Sequence, residues 1–343
     1  MAILDITAPG NSRESALSDQ VLEQARKLYL DRILVPLDGS VESERALPFA
    51  AMITRRLNGE ISLFHCLQPM HPVQAGRPGQ VPYPDAQHDR GSHLATSYLE
   101  EVKARLKPNG LQSRWNVATG SAAPLIAYRA ATGRIGLTVM ASHNKPRVVR
   151  GLQSNVTANL WRLTAGPLFL INRAHVNVNG APPTTPETIF VPFNGSETAR
   201  AALPIATTLA MALESRLVLL LSAPDTDERN AENTVENVLS QTLAAREVAE
   251  ELTEAGCHTE IEHVSGGVIG VARRQLQERG SWVVAGSQMR SGLTRIIKGS
   301  EGDNFLRRCR GPLIVVPRPN VAKSREKRLR KYMASSDGIG SVY

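Results

Sequence analysis

One short stretch with ligand-binding chemistry occurs twice, as VPLDGS at residues 35–40 and as VPFNGS at residues 191–196. The Gly-Ser ending is typical of a tight turn that leads into a helix with free backbone N–H groups. The residue before the glycine is Asp38 in the first copy and Asn194 in the second. A carboxylate only accepts hydrogen bonds, whereas an amide accepts and donates, so the two copies offer a ligand different chemistry.

A second glycine-containing stretch, AGSQMRSGLTRIIKGSEG, occupies residues 285–302. Gly286 and Gly299-Ser300 flank its basic residues, which are Arg290, Arg295 and Lys298. Small residues allow backbone N–H groups to approach a phosphate. A turn-forming role is enough to explain each of these glycines taken singly, and only the combination points to an anion.

The segments that position these stretches are repeated as well. Gly195 follows Gly39 by 156 residues, and near the end of each copy Gly311 follows Gly166 by 145. The first copy is longer because it contains a Pro- and Gly-rich stretch at 69–93, which is predicted to be a long loop. The predicted organisation is an N-terminal arm (1–31), a first domain (32–175), a Pro-rich linker (176–185), a second domain (186–318) and a basic tail (319–343).

Five short apolar runs in each copy alternate with four segments of helical periodicity, as in RILVPL at 32–37 followed by a helix predicted over 40–58. This alternation predicts an α/β fold with two tandem doubly wound domains, each with a five-stranded parallel sheet. Ligands bind such sheets at the carboxyl ends of the strands, where the strand order reverses. The loops after the first and fourth strands are therefore the predicted sites. The fifth strands, PLFLIN and PLIVVP, are predicted to meet and pair the two copies.

Three segments together resemble the universal stress protein family in its tandem two-domain form: the strand ILVPLDGS, the helix with SERALP and the ending VVAGSQMRSGLTRIIKGSEGDNFLRRCRGPLIVVP. The resemblance implies an adenine-nucleotide α-hydrolase-like fold and a role in stress response. In ATP-binding members it implies an aspartate after the first strand, a residue ending the second, and a G-x2-G-x9-G-[ST] phosphate loop after the fourth.

The resemblance assigns nucleotide-binding positions residue by residue. In the first copy they are Pro36, Asp38 and Cys66, but Ala141, Asn144 and Ser154 stand at the loop's glycine positions. In the second copy they are Pro192, Asn194, Ser222, Gly286, Gly299 and Ser300, with Met289 at the middle glycine. Any bound ATP is therefore predicted in the second copy, with the first copy serving mainly as a packing partner.

Several function classes are disfavoured by the sequence. It has no apolar run approaching the roughly 20 residues of a membrane span, and its three widely spaced cysteines form no C-x2-C pair, which favours the cytoplasm. The histidines and aspartates of the stretch 69–93 match no metal motif, so a metal is left undetermined. No nucleophile–base pair has a recognisable spacing, so the protein is predicted not to be an enzyme, although slow ATP hydrolysis stays open.

The tail segment KSREKRLRK carries a net +5 of the chain's +8, and its basic residues are Lys323, Arg325, Lys327, Arg328, Arg330 and Lys331. It has no apparent apolar period, so a solvated, disordered end is the first interpretation, and truncation after Pro319 is expected to leave folding intact. Contact with RNA or the ribosome is the alternative. The sequence thus predicts a non-catalytic, ATP-binding or regulatory stress protein, with an RNA- or ribosome-associated factor as the alternative.

Overall fold

The computed structural model describes residues 30–68, 84–142, 156–172, 183–223, 231–265, 280–287 and 311–335. Its strands are β1 (Arg32–Leu37), β2 (Glu60–Leu67), β3 (Gln112–Thr119), β4 (Leu137–Ser142), β5 (Leu168–Asn172), β6 (Thr188–Pro192), β7 (Arg216–Ala223), β8 (Thr259–Ser265), β9 (Ser281–Ser287) and β10 (Leu313–Pro317). Its α-helices are α1 (Val41–Glu44), α2 (Leu47–Arg56), α3 (Pro84–Leu106), α4 (Ala122–Thr132), α5 (Val156–Leu163), α6 (Glu197–Arg200), α7 (Leu203–Leu213), α8 (Ala231–Glu254) and α9 (Pro319–Ser335).

The described strands form one ten-stranded sheet in the order β3-β2-β1-β4-β5-β10-β9-β6-β7-β8. Strands within each copy are parallel. The copies are joined by an antiparallel pairing of β5 with β10, in which Leu313 lies opposite Leu170 and Val315 opposite Leu168. The predicted α/β fold and the meeting of the two fifth strands are confirmed.

The joint between the copies is part of the hydrophobic core. The ring centroid of Phe169 on β5 lies 4.7 Å from that of Trp282 on β9 and 5.9 Å from that of Phe49 on α2. All three side chains are buried. One cluster of buried residues on each face of the sheet contains residues from both copies. The two copies therefore share their cores across the joint.

The helix predicted over 40–58 is divided into α1 and α2, which is a correction. Pro48 occupies the first turn of α2, where its missing N–H costs no helical hydrogen bond. In a continuous helix the same proline would interrupt the hydrogen-bond ladder. The second copy divides in the same way, with Pro204 in the first turn of α7.

The loop predicted over 69–93 is also shorter than expected. Helix α3 begins at Pro84, so the last ten residues of the predicted loop, 84–93, are helical. Residues 69–83 lie outside the described part of the chain. Proline is favoured at the start of a helix, and this one is followed by a run that includes Ala86 and Gln87. A proline at the end of a Pro- and Gly-rich stretch therefore begins the helix here instead of extending the loop.

The expectation of a disordered tail is wrong for residues 319–335, which form α9. Although α9 follows the last strand of the second copy, Leu329 and Met333 join a core cluster that includes Ala123 and Ile126 of α4 in the first copy. Arg325 is only 3% exposed. These three residues recur every four positions and form one helical face. A search for apolar residues at helical spacing misses this face because its first member is an arginine. Among the described helices, none has the length and hydropathy needed to cross a membrane.

Candidate functional site

The strand order places both VP-x-x-GS turns where the sheet connections diverge. β1 pairs with β2 on one side and with β4 on the other, and β6 pairs with β7 and β9 in the same manner. The chain leaves β1 and β4, and likewise β6 and β9, at neighbouring carboxyl ends. These are the two switch points at which such sheets bind ligands.

In the first copy, Asp38 organises the turn that follows β1. Its Oδ1 atom accepts hydrogen bonds from the backbone N–H of Ser40 at 3.0 Å and from the Ser40 hydroxyl at 2.5 Å. Ser40 Oγ in turn accepts from the backbone N–H of Ser43 at 3.1 Å and caps α1. Gly39 has φ +82°, a conformation that glycine adopts without strain.

In the second copy, Asn194 builds the same turn. Its Oδ1 accepts from the backbone N–H of Ser196 at 3.2 Å and from the Ser196 hydroxyl at 2.6 Å, while Ser196 Oγ accepts from Ala199 N–H at 3.3 Å. Gly195 has φ +74°. The change from aspartate to asparagine thus keeps the backbone geometry. It removes one negative charge and replaces a carboxylate oxygen by an amide NH₂.

Two arginines that the sequence analysis missed surround the Asn194 turn. Arg200 Nε donates to the carbonyl oxygen of Gly195 at 3.2 Å, and an Arg200 guanidinium nitrogen lies 4.0 Å from a Glu247 carboxylate oxygen. Arg318, directly after β10, forms an ion pair with Glu197 at the start of α6. Its position after the last strand was the available signal, since that strand ends beside β9.

Comparison with known proteins gives a family match that covers most of the chain. The universal stress protein family matches twice, over residues 30–172 and 186–317. The chain belongs to the universal stress protein family. The comparison with curated proteins gave no significant match.

Solved structures show the same fold. A universal stress protein from Archaeoglobus fulgidus DSM 4304 is 18% identical with a TM-score of 0.61, covering 84% of this chain and 99% of its own. A putative universal stress protein from Pseudomonas aeruginosa UCBPP-PA14 is 16% identical with a TM-score of 0.59, covering 89% and 99%. A functionally unknown protein from Pseudomonas aeruginosa PAO1 is 15% identical, again with a TM-score of 0.59 and the same coverage.

Gly286, a position that the family resemblance assigns to the phosphate loop, has a packing role in this universal stress protein. It lies on β9 opposite Val316, and a Cβ atom there would overlap the backbone carbonyl of Thr198 on α6. Glycine is therefore required for the close approach of α6 to the sheet. The first copy has the buried Ala141 at this position. Gly299 and Ser300 lie outside the described residues.

The residues assigned at the second strands have different surroundings. Cys66 is a free thiol that packs against a core cluster, and burial raises its pKa to about 12, so it stays protonated at neutral pH. For Ser222 only the backbone is described, and it lies opposite Val264 on β8. The half-buried Pro36 and Pro192 lie on β1 and β6, where neither can donate a ladder hydrogen bond.

His65 on β2 is a further residue near the first site that the sequence analysis missed. It lies opposite Leu37, the residue that precedes Asp38 in the chain. Burial lowers the pKa of His65, against smaller opposing effects of the Leu37 carbonyl and the Asp38 charge. Within the described ranges, no group of three His, Cys, Asp or Glu side chains is placed to hold a metal ion.

Proposed function

We propose that this universal stress protein binds one purine nucleoside triphosphate, without a catalytic step, in its second copy. The nucleotide occupies the crevice at the carboxyl ends of β6 and β9, and the protein acts in the cytoplasm. The observation that carries the proposal is the intact Asn194–Ser196 turn at the switch point between these strands. Family membership supports a nucleotide, because ATP is the ligand that the resemblance implies.

The proposal gives each assigned residue a position around the ligand. The base lies near Pro192, Asn194 and Ser222, and the phosphates lie against Gly286 and toward the segment that follows Ser287. Gly299 and Ser300, assigned by the family motif, complete the phosphate contacts. The first copy retains Pro36, Asp38 and Cys66 but has Ala141, Asn144 and Ser154 in place of the loop glycines. It acts as the partner that completes the shared core.

The test is a nucleotide titration of the full-length protein, preceded by mass spectrometry of any nucleotide released on denaturation. We expect one nucleotide per chain. Gly299→Val should weaken binding at least about tenfold, because a side chain excludes phosphate from the backbone N–H groups. The matched control is Ser154→Val, the equivalent position in the first copy, which should change nothing. No binding by the wild type, or equal loss in both variants, would refute the proposal.

A second candidate function, contact with RNA, is favoured by the helical structure of the basic segment, which forms α9. Lys323, Lys327 and Lys331 are exposed and repeat every four residues, so they lie along about 12 Å of one helical face. Arg330, by contrast, pairs with Glu326 at 2.8 Å. An anchored row of cations can neutralise successive phosphates and gives a salt-dependent affinity.

Replacing the three lysines by glutamine tests this second function without removing the helix. We expect the slope of log affinity for single-stranded RNA against log salt to fall by about 2, since each lost phosphate contact contributes about 0.7. The control is the pair Arg55→Gln and Lys107→Gln, two exposed positions of the first copy. If the triple variant binds RNA as the wild type does, α9 is not an RNA surface.

A further inference from the structure

The orientation of the Asn194 amide is fixed by its own turn. The backbone N–H of Ser196 can only donate, so the Asn194 atom that it meets must be the oxygen. The Ser196 hydroxyl accepts from Ala199 N–H and therefore directs its proton to the same oxygen. With two hydrogen bonds at Oδ1, the group that Asn194 has left for a ligand is its NH₂, a pure donor.

The first copy offers the opposite chemistry from the same geometry. Asp38 uses Oδ1 in an identical pair of bonds from Ser40. Its second carboxylate oxygen is an acceptor and carries negative charge. The two turns therefore form the same hydrogen bonds, but the side chain of Asn194 carries a donor group and the carboxylate of Asp38 carries none.

The charges around Asn194 indicate which part of a nucleotide lies against it. Glu197 places a carboxylate at the start of α6, and its side chain is 52% exposed. The two neighbouring cations are already paired, Arg318 with Glu197 and Arg200 with Glu247. A phosphate would meet a negative group here without a free cation among the described residues. The uncharged base fits this position better.

We propose that Asn194 selects a base that carries a carbonyl oxygen where adenine carries its 6-amino group, which makes the ligand of the second copy a 6-oxopurine nucleotide. The inference rests on the proposed function and narrows its ligand. The amide NH₂ donates to the carbonyl oxygen of hypoxanthine or guanine. In adenine the amino group would face the amide nitrogen, leaving two donors opposed and unpaired.

The experiment compares two ligands that differ at this group, ATP and inosine triphosphate, by isothermal titration of the full-length protein. We expect the wild type to bind the inosine nucleotide about tenfold more tightly than ATP. Asn194→Asp should reverse the order, because its second oxygen accepts from the adenine amino group. This variant is expected to fold, since Asp38 already forms the same turn. Asp38→Asn, the mirror change in the first copy, should leave both affinities unaltered.

The outcomes separate this inference from the proposed function. If the wild type binds ATP as well as or better than the inosine nucleotide, the base selection is wrong while nucleotide binding stands. An unchanged preference in a folded Asn194→Asp protein would show that another residue reads the base. If neither nucleotide binds, the proposed function fails and the inference fails with it.

Discussion

Arg325 of the C-terminal helix donates hydrogen bonds to the backbone carbonyls of Thr164 at 2.8 Å and of Trp161 at 3.3 Å, at the end of α5 in the first copy. The last turn of a helix has unpaired carbonyls and a partial negative charge, so a cation is well placed there. Burial lowers the pKa of Arg325 to about 10, which still leaves it charged at neutral pH. The C-terminal helix of one copy thus caps a helix of the other.

Truncation after Pro319 is therefore expected to destabilise the protein. It removes the buried Leu329 and Met333 and leaves the Thr164 and Trp161 carbonyls without their donor. We expect a loss of about 3 kcal/mol or more in the free energy of unfolding. Urea denaturation of the truncated and full-length chains measures it. Lys327→Gln, an exposed change on the same helix, serves as the control and should shift the midpoint little. An unaltered midpoint after truncation would mean that α9 contributes no stability.

Removing Phe169 should weaken both copies together. Its ring contacts Trp282 across the joint, so Phe169→Ala opens a cavity in the shared core. We expect a loss of roughly 3–5 kcal/mol, with a single unfolding transition retained. Phe169→Leu, which refills part of the space, should lose less. Separate transitions for the two copies in the wild type would contradict the shared core.

Glycines 39 and 286 should respond differently to alanine. Gly39 has φ +82° but open space around its Cβ position, so Gly39→Ala should cost about 1 kcal/mol of backbone strain. Gly286→Ala forces a methyl group into the Thr198 carbonyl and should cost about 3 kcal/mol or more. Thermal unfolding of the two variants at one pH gives the comparison. Equal losses of stability in the two variants would show that α6 can move away from β9 at no cost.

Acid should weaken the fold partly through His65. Because its pKa is lowered in the folded state, the unfolded chain binds a proton more readily at this residue. The free energy of unfolding should accordingly fall as the pH drops below about 6.5, the value of a free histidine. His65→Phe keeps an aromatic ring and removes the titration, so its stability should fall less steeply over this range. Parallel pH profiles for both proteins would exclude this role for His65.

Much of the fold could be predicted because the strands are continuous apolar runs that occur twice, and the switch points follow from that order. For the candidate site the sequence gives residue types, but not their geometry. That Asn194 keeps the turn of Asp38 depends on hydrogen bonds to Ser196, and the packing need for Gly286 depends on Thr198. The pairing of Arg318 with Glu197 spans 121 residues and has no local pattern. Helix α9 was missed because its buried face begins with Arg325, whose hydrogen bonds go to carbonyls from another part of the chain.

The joint between β5 and β10 can form only late in synthesis, because β10 lies near the end of the chain. Arg325 follows Thr164 by 161 residues, so the ribosome needs on the order of ten seconds to make the segment between them. During that time the nascent first copy presents the unpaired edge of β5 and an uncovered apolar surface on α4. Such an edge is a template for aggregation. Until β10 and the C-terminal helix have been made, the edge of β5 and this surface of α4 lack the partners that they have in the folded protein.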